Sequence, residues 1–277
     1  MRKIRRALFV LALCACCAFP TFWRDRLLLP AANAISQLTG RFPIPFYALL
    51  ATACLLGMRR PRRVACALTA SLLLMWFPAY FVPRAPIAAA GEAEVRALCE
   101  NLIDALNRSP LEFADSAIPQ AIAAVQTDSG CELPEYAVKF GPARLLNVLG
   151  LAGIYVPWTA EALINPDLNA AALPFTAVHE LTHRLGIADE TQANLAAWKI
   201  SLRAGGELAD SARLWALRYA MAREREADSG KWAALIHRMN ASTRERFYQM
   251  GGGDALSGSE SYARLIDFLA ADASLLS

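Results

Sequence analysis

Three apolar runs crowd the start of this chain: Ala7 to Trp23, Pro43 to Met58 and Val64 to Pro83. Each approaches the roughly 17–25 residues that a membrane-spanning helix needs. In lipid a backbone must satisfy its own hydrogen bonds, so each run is expected to be a transmembrane helix. Arg2, Lys3, Arg5 and Arg6 precede the first run, and Arg59, Arg60, Arg62 and Arg63 separate the second from the third. Positive charge stays in the cytoplasm. The expectation is therefore a multi-pass protein of the bacterial cytoplasmic membrane, with its N-terminus inside, 24–41 as an outer loop, and everything after Pro83 outside. Met1 to Pro20 also has the n-region and h-region of a cleaved signal peptide, which would leave two spans and the same outward domain.

Charge divides the chain at the same place. Met1 to Pro83 holds eleven Lys/Arg against one acid, a net +10, while Arg84 to Ser277 holds seventeen against twenty-four, a net −7. The basic residues of the front flank apolar runs and the back is acidic, so no nucleic-acid partner is expected. The runs carry almost no ionisable residue, which disfavours a transporter. Five of the seven cysteines lie in the apolar front. Cys99 and Cys131 are the two in the outer region, a possible disulfide in an oxidising compartment or else two buried thiols.

The outer region, 84–277, opens on a Pro/Ala linker and then reads as mostly helical. Apolar spacing predicts helices over Glu92 to Arg108, Pro119 to Val125 and Pro142 to Leu149, with a loop and a short strand between Gly130 and Phe140. Gly153 to Thr159 is β-branched and aromatic with Pro157 inside, the pattern of an edge strand or hairpin. Leu145 to Leu163 is apolar enough to compete as a fourth span, but Pro157, Asn147 and the Trp158 to Glu161 run oppose it. Helices follow from Pro174 to Leu185, from Asp189 to Gly205, and then over 208–228, 231–240, 242–250 and 261–275.

Within the first of these lies His179-Glu180-Leu181-Thr182-His183, two of the chain's three histidines. Residues four apart share a helix face, so both imidazoles point one way. H-E-x-x-H suits two nitrogen ligands on one zinc, with Glu180 between them as general base. Gly186 is placed to end the helix in a left-handed cap. A third ligand must come from beyond it. Asp189 completes a metzincin-like H-E-x-x-H-x-x-G-x-x-D layout. It also suits a helix cap, with Gln192 completing the capping box, and this favours Glu190 as the ligand. Asn194, one turn beyond Glu190, is placed to support a ligand imidazole from behind. Tyr262, His237 and Tyr155 are candidate transition-state stabilisers.

Glu190, Ala193 and Asn194 resemble the E-x-x-A-D motif of HtpX-type membrane zinc metallopeptidases, with Asn in place of the last Asp. The wider stretch resembles an uncharacterised family of bacterial membrane proteins. It comprises Ile154 to Ala162, Leu173-Pro174-Phe175, the H-E-x-x-H, Gly186 and Glu190 to Asn194. That family carries an F-P-F-T-G-E-A-like segment, a P-F-x-x-x-H-E-x-A-H core and an E-x-E-A-N segment behind N-terminal spans. Ala160 stands where it tends to have Gly, and Gln192 where it tends to have a second acid. The resemblance implies a zinc-peptidase-like site.

The expected fold class is therefore mainly α: three N-terminal transmembrane helices, then a zincin-like α(+β) domain with one short edge strand or hairpin. The expected activity is zinc-dependent hydrolysis of peptides, among them envelope or membrane proteins, by a Zn2+-activated water. The alternative is a non-catalytic metal-binding sensor or assembly factor on a membrane anchor. The absence of cysteine near the motif leaves the fourth metal position open and favours the enzyme.

Overall fold

The computed structural model describes residues 2–56, 61–83, 86–110, 112–113, 116–252 and 260–272. Helices α1 (Arg2–Ala18) and α2 (Pro20–Trp23) lead through a π-helical turn, Arg24–Leu28, into α3 (Leu29–Thr39). Next come α4 (Phe46–Leu56), α5 (Pro61–Met75) and a 3-10 turn, Phe77–Phe81. Then follow α6 (Glu92–Asn107), α7 (Ala117–Ser129), β1 (Val138–Phe140), α8 (Ala143–Leu149), β2 (Gly153–Val156) and β3 (Glu161–Ile164). The remainder is α9 (Leu173–Arg184), α10 (Glu190–Ala204), α11 (Gly206–Ala227), α12 (Ser229–Arg238), α13 (Ala241–Gln249) and α14 (Glu260–Ala271). The chain is thus mainly helical with one small sheet. Two compact units result: Met1–Arg84 with Cys131–Pro166 and Glu180–Asp189, and Ala85–Gly130 with Asp167–His179 and Glu190–Ser277. The assignment changes within α9, between His179 and Glu180.

In the first unit, one described helix, Arg62–Phe81, is long and apolar enough to cross a membrane. Leu8–Ala18 and Pro20–Thr39 pass the same test only as a pair bent by 101°. The described residues therefore offer one or two candidate spans where the apolar runs predict three. The break falls at Phe19-Pro20, because proline cannot donate to the preceding turn. The expected outer loop 24–41 is instead helical almost throughout. Its π-turn and α3 bury Leu28, Ala32 and Ser36, so this segment has a packed face that the Arg spacing hid. The second run forms α4, whose eleven residues rise only about 16 Å; residues 57–60 lie outside the described chain.

The sheet belongs to the same unit, with order β1-β3-β2. β1 runs parallel to β3, pairing Lys139 with Leu163, and β2 runs antiparallel, pairing Gly153 with Ile164 and Ile154 with Leu163. The expected strand is thus β2, at an edge and part of a hairpin with β3. All four residues of β3 are buried, Glu161 included. Lys139 Nζ donates to Glu161 Oε1 at 2.7 Å, to the Thr39 carbonyl at 2.9 Å and to the Ile44 carbonyl at 2.8 Å, using all three of its protons. Glu161 in turn accepts from the Phe46 and Tyr47 amides at 2.8 and 2.9 Å, in the first turn of α4. A carboxylate is favoured there by the orphan amides and the helix dipole. This buried network fastens the α3–α4 connection to the sheet.

In the second unit, α11 is the central helix, and α6, α10 and α14 pack on it. Arg96 Nε reaches the buried Glu224 at 2.8 Å, and Arg223 joins Asp267 at 2.6 Å. Asp228 caps α12 through the Gly230 and Lys231 amides, and Asn240 caps α13 through the Thr243 amide. These caps separate the helices expected over 208–250.

Of the two alternatives left open for Cys99 and Cys131, the structure has no disulfide between them. Cys99 lies completely buried on the apolar face of α6 with Val95, Leu98 and Leu102, and acts as a small hydrophobe. Burial pushes its thiol pKa up.

Candidate metal centre

Helix α9 carries both histidines and is fixed at its start. The Phe175 amide donates to Ser211 Oγ at 3.0 Å, Ser211 Oγ donates to the Ala171 carbonyl at 2.6 Å, and Trp215 Nε1 donates to the Ala172 carbonyl at 3.2 Å. Phe175, Val178, Leu181 and Thr182 are buried, and so is every other residue from Pro174 to Arg184, so the helix is enclosed on all sides. At its end Gly186 has φ +79° and its amide reaches the His183 carbonyl at 2.9 Å, the expected left-handed stop. The chain turns at once and α10 begins at Glu190, one residue after Asp189.

His179, His183 and Glu190 could hold a metal ion: their ligand atoms lie within 4.8 Å of one another. His179 Nε2 is 3.2 Å from Glu190 Oε2. Two donors about 2.0–2.2 Å from a tetrahedral ion stand roughly 3.3–3.5 Å apart, so this spacing already suits a shared ion. His183 Nδ1 lies 2.7 Å from the Ile187 carbonyl. A carbonyl only accepts, so Nδ1 carries the proton and the ring's lone pair is on Nε2, the tautomer a metal needs. Both imidazoles are buried and Glu190 is exposed, which leaves the group one solvated side. Asp189 is not a member of this group, so of the two expected alternatives Glu190 is the one brought to the histidines.

Glu180 is buried beside the edge strand. A Cβ on Gly153 would stand 2.8 Å from both Glu180 Cγ and Glu180 Oε1, and 3.0 Å from the Leu163 carbonyl. Only a residue without a side chain lets the carboxylate occupy that place. The remaining expected residues are dispersed. Asn194 is completely buried, but its Nδ2 reaches Ser261 Oγ at 3.5 Å rather than an imidazole. Tyr262 stacks on Tyr219 with centroids 4.1 Å apart and on Trp215 at 5.5 Å. His237 is exposed on α12. Tyr155 is buried with its ring 5.3 Å from Trp76, and burial raises its pKa.

Three residues of the site region escape sequence reasoning. Trp76, at the end of the apolar helix, meets His183 edge-on with centroids 6.2 Å apart. Its apolar surroundings give it the look of a membrane-interface aromatic, and nothing in the sequence ties it to residue 183. Arg184, next to His183, is 1% exposed and donates through Nε to Ser36 Oγ at 3.0 Å. Desolvation lowers its pKa. Gly153 was legible only as a strand residue. The one available signal is that a glycine at a strand start marks a close approach.

The fold and this group define a mainly helical chain with an apolar helix able to cross a membrane and a His-His-Glu cluster suited to a metal. The model of a family described as a protein of unknown function, DUF3810, matches residues 64–250, and the chain belongs to that family. No curated protein and no solved structure matches it.

Proposed function

We propose that this protein is a membrane-anchored zinc metallopeptidase. The observation that carries the reading is the His179, His183 and Glu190 cluster with Glu180 beside it on the same helix. Two imidazoles and one carboxylate are the donor set of catalytic zinc sites that keep a fourth position for water. When bound there, zinc supplies Lewis acidity and a water of pKa about 7. His179, His183 and Glu190 would hold the ion, and Glu180 would serve as the general base that later protonates the leaving amine. Gly153 fixes where the Glu180 carboxylate can stand. β2 is an edge strand that begins at Gly153, so an extended peptide adding to it would run beside Glu180. The envelope location outside the cytoplasm and the choice of membrane-protein or envelope substrates follow from the charge asymmetry and belong to the same proposal.

The test is metal content of the full-length protein in detergent, measured with a panel of peptide substrates. The expected result is about one zinc per chain, lost in Glu190→Ala and retained in Asp189→Ala. Glu180→Gln should keep the metal and lose hydrolysis. Full metal in every variant with no hydrolysis would establish a non-catalytic metal-binding protein. Absence of metal from the folded wild type would remove the zinc reading altogether.

A further inference from the structure

The sheet of the first unit has two unlike faces. Residues paired across strands share a face, so Lys139, Leu163 and Ile154 lie together, and Glu161, two residues from Leu163, joins them. Helix α8 packs on this face through Leu146: a Cβ on Gly141 would meet Leu146 Cδ1 at 2.8 Å and Leu163 Cβ at 3.3 Å. Leu146 is the only buried residue of α8. On its other side the helix exposes Leu145 at 55%, Val148 at 84% and Leu149 at 56%, and Ile154 of the same sheet face is 39% exposed. A single exposed leucine needs no explanation, but four large apolar side chains on one short helix and its neighbouring strand form a patch.

What covers the patch is indicated by its neighbours. The Lys139–Glu161 network lies on this same face and holds the first turn of α4, the apolar helix of the second run. The connection that leads into α4 exposes Phe42 at 47% and Ile44 at 57%. One face of the sheet therefore presents α8, the α3–α4 connection and the start of an apolar helix. All of it belongs to the unit that contains the candidate span Arg62–Phe81. Arg144, exposed at the start of α8, supplies a cation of the kind that sits well among anionic headgroups.

We infer that the apolar side of α8, formed by Leu145, Val148 and Leu149 with Ile154, rests in the lipid surface of the membrane that anchors the chain. This rests on the membrane anchoring proposed above. It adds a second, non-spanning contact with the bilayer, of the kind interfacial helices make.

The test uses the full-length chain in lipid nanodiscs, with an environment-sensitive fluorescent amino acid encoded at position 148. Two controls carry it at 69, exposed on the candidate span, and at 127, exposed on α7. The quenchers are a lipid with a spin label near the top of its acyl chain and aqueous iodide. The expected result is quenching by the lipid label at 148 and 69, by about twofold or more, with iodide effective only at 127. Lipid quenching at 69 but iodide quenching at 148 would overturn the α8 contact and leave the anchoring intact. Iodide quenching at both 69 and 148 would overturn both. Protection of 148 from both quenchers would assign the patch to a protein interface instead.

Discussion

Gly153 and Glu180 occupy one another's space: the carboxylate of Glu180 stands where a side chain at position 153 would be, 2.8 Å from an ideal Cβ. A strand and a helix far apart in sequence are thereby set at a separation that only glycine permits. Gly153→Ala must displace either Glu180 or the strand, since the Leu163 carbonyl closes the remaining side at 3.0 Å. We expect peptide hydrolysis to fall by about a hundredfold, the scale of a 1 Å misplacement of a reacting group. Metal content should be unchanged, because the atoms nearest to a side chain at 153 belong to Glu180 and the Leu163 carbonyl. Zinc analysis beside kinetics checks this. Equal loss of metal and activity would show that the strand itself had moved.

The helices and their stops were legible because their signals are local. Apolar spacing over Glu92 to Arg108, Gly186 after the last periodic residue and Asp189 before Glu190 each act within one or two turns. The choice of Glu190 over Asp189 also came from local capping logic. The misses are all non-local. Lys139 and Glu161 are each ordinary surface letters until β1 and β3 are paired in register. The 24–41 segment reads as a loop because its buried stripe of Leu28, Ala32 and Ser36 is narrow and mixed in polarity. Cys99 and Cys131 stay open between a disulfide and two thiols in the sequence because spacing says nothing about burial.

The Lys139–Glu161 pair offers a stability test. Both side chains are almost wholly buried, and each makes three hydrogen bonds within one network. Lys139→Met leaves the Glu161 charge without its counter-ion and should cost about 3–5 kcal/mol. Glu161→Gln keeps an acceptor for the Phe46 and Tyr47 amides and should cost less. Combined, the two should be less harmful than the sum of the single changes, since the second removes the charge stranded by the first. Denaturant unfolding of the four proteins measures the coupling. Strict additivity would mean that the two groups do not interact energetically.

Cys99 is expected to resist reagents in the folded chain. It is fully buried, and its thiol pKa lies above the ordinary value through loss of solvation. Alkylation should label it only on unfolding, and reduction should leave the intact mass unchanged. The sign of the pH effect follows. Above about pH 8.5 the unfolded chain releases this proton while the folded chain keeps it. Stability is therefore fully present below that pH and declines as pH rises past it. Cys99→Ala should flatten this alkaline limb. A slope unchanged by the substitution would assign the alkaline loss to other groups.

Arg184 presents the opposite case, a charge whose burial is poorly compensated. Its Nε donates to Ser36 Oγ, but neither Nη1 nor Nη2 has a hydrogen-bond partner among the described residues. Desolvation accordingly lowers its pKa, while the nearby Tyr155 and Cys131 act in the other direction. A buried ion that lacks partners costs several kcal/mol, and an apolar residue of similar length relieves that cost. Arg184→Met should therefore match or exceed the wild-type Tm. Arg184→Ala should fall below it, because truncation adds a cavity to the same change. Thermal unfolding of both variants in matched detergent decides the matter. A strongly destabilised Arg184→Met would show that the guanidinium is compensated in the intact protein, and repeating the scan across chloride and phosphate concentrations would identify an anion as the compensating group.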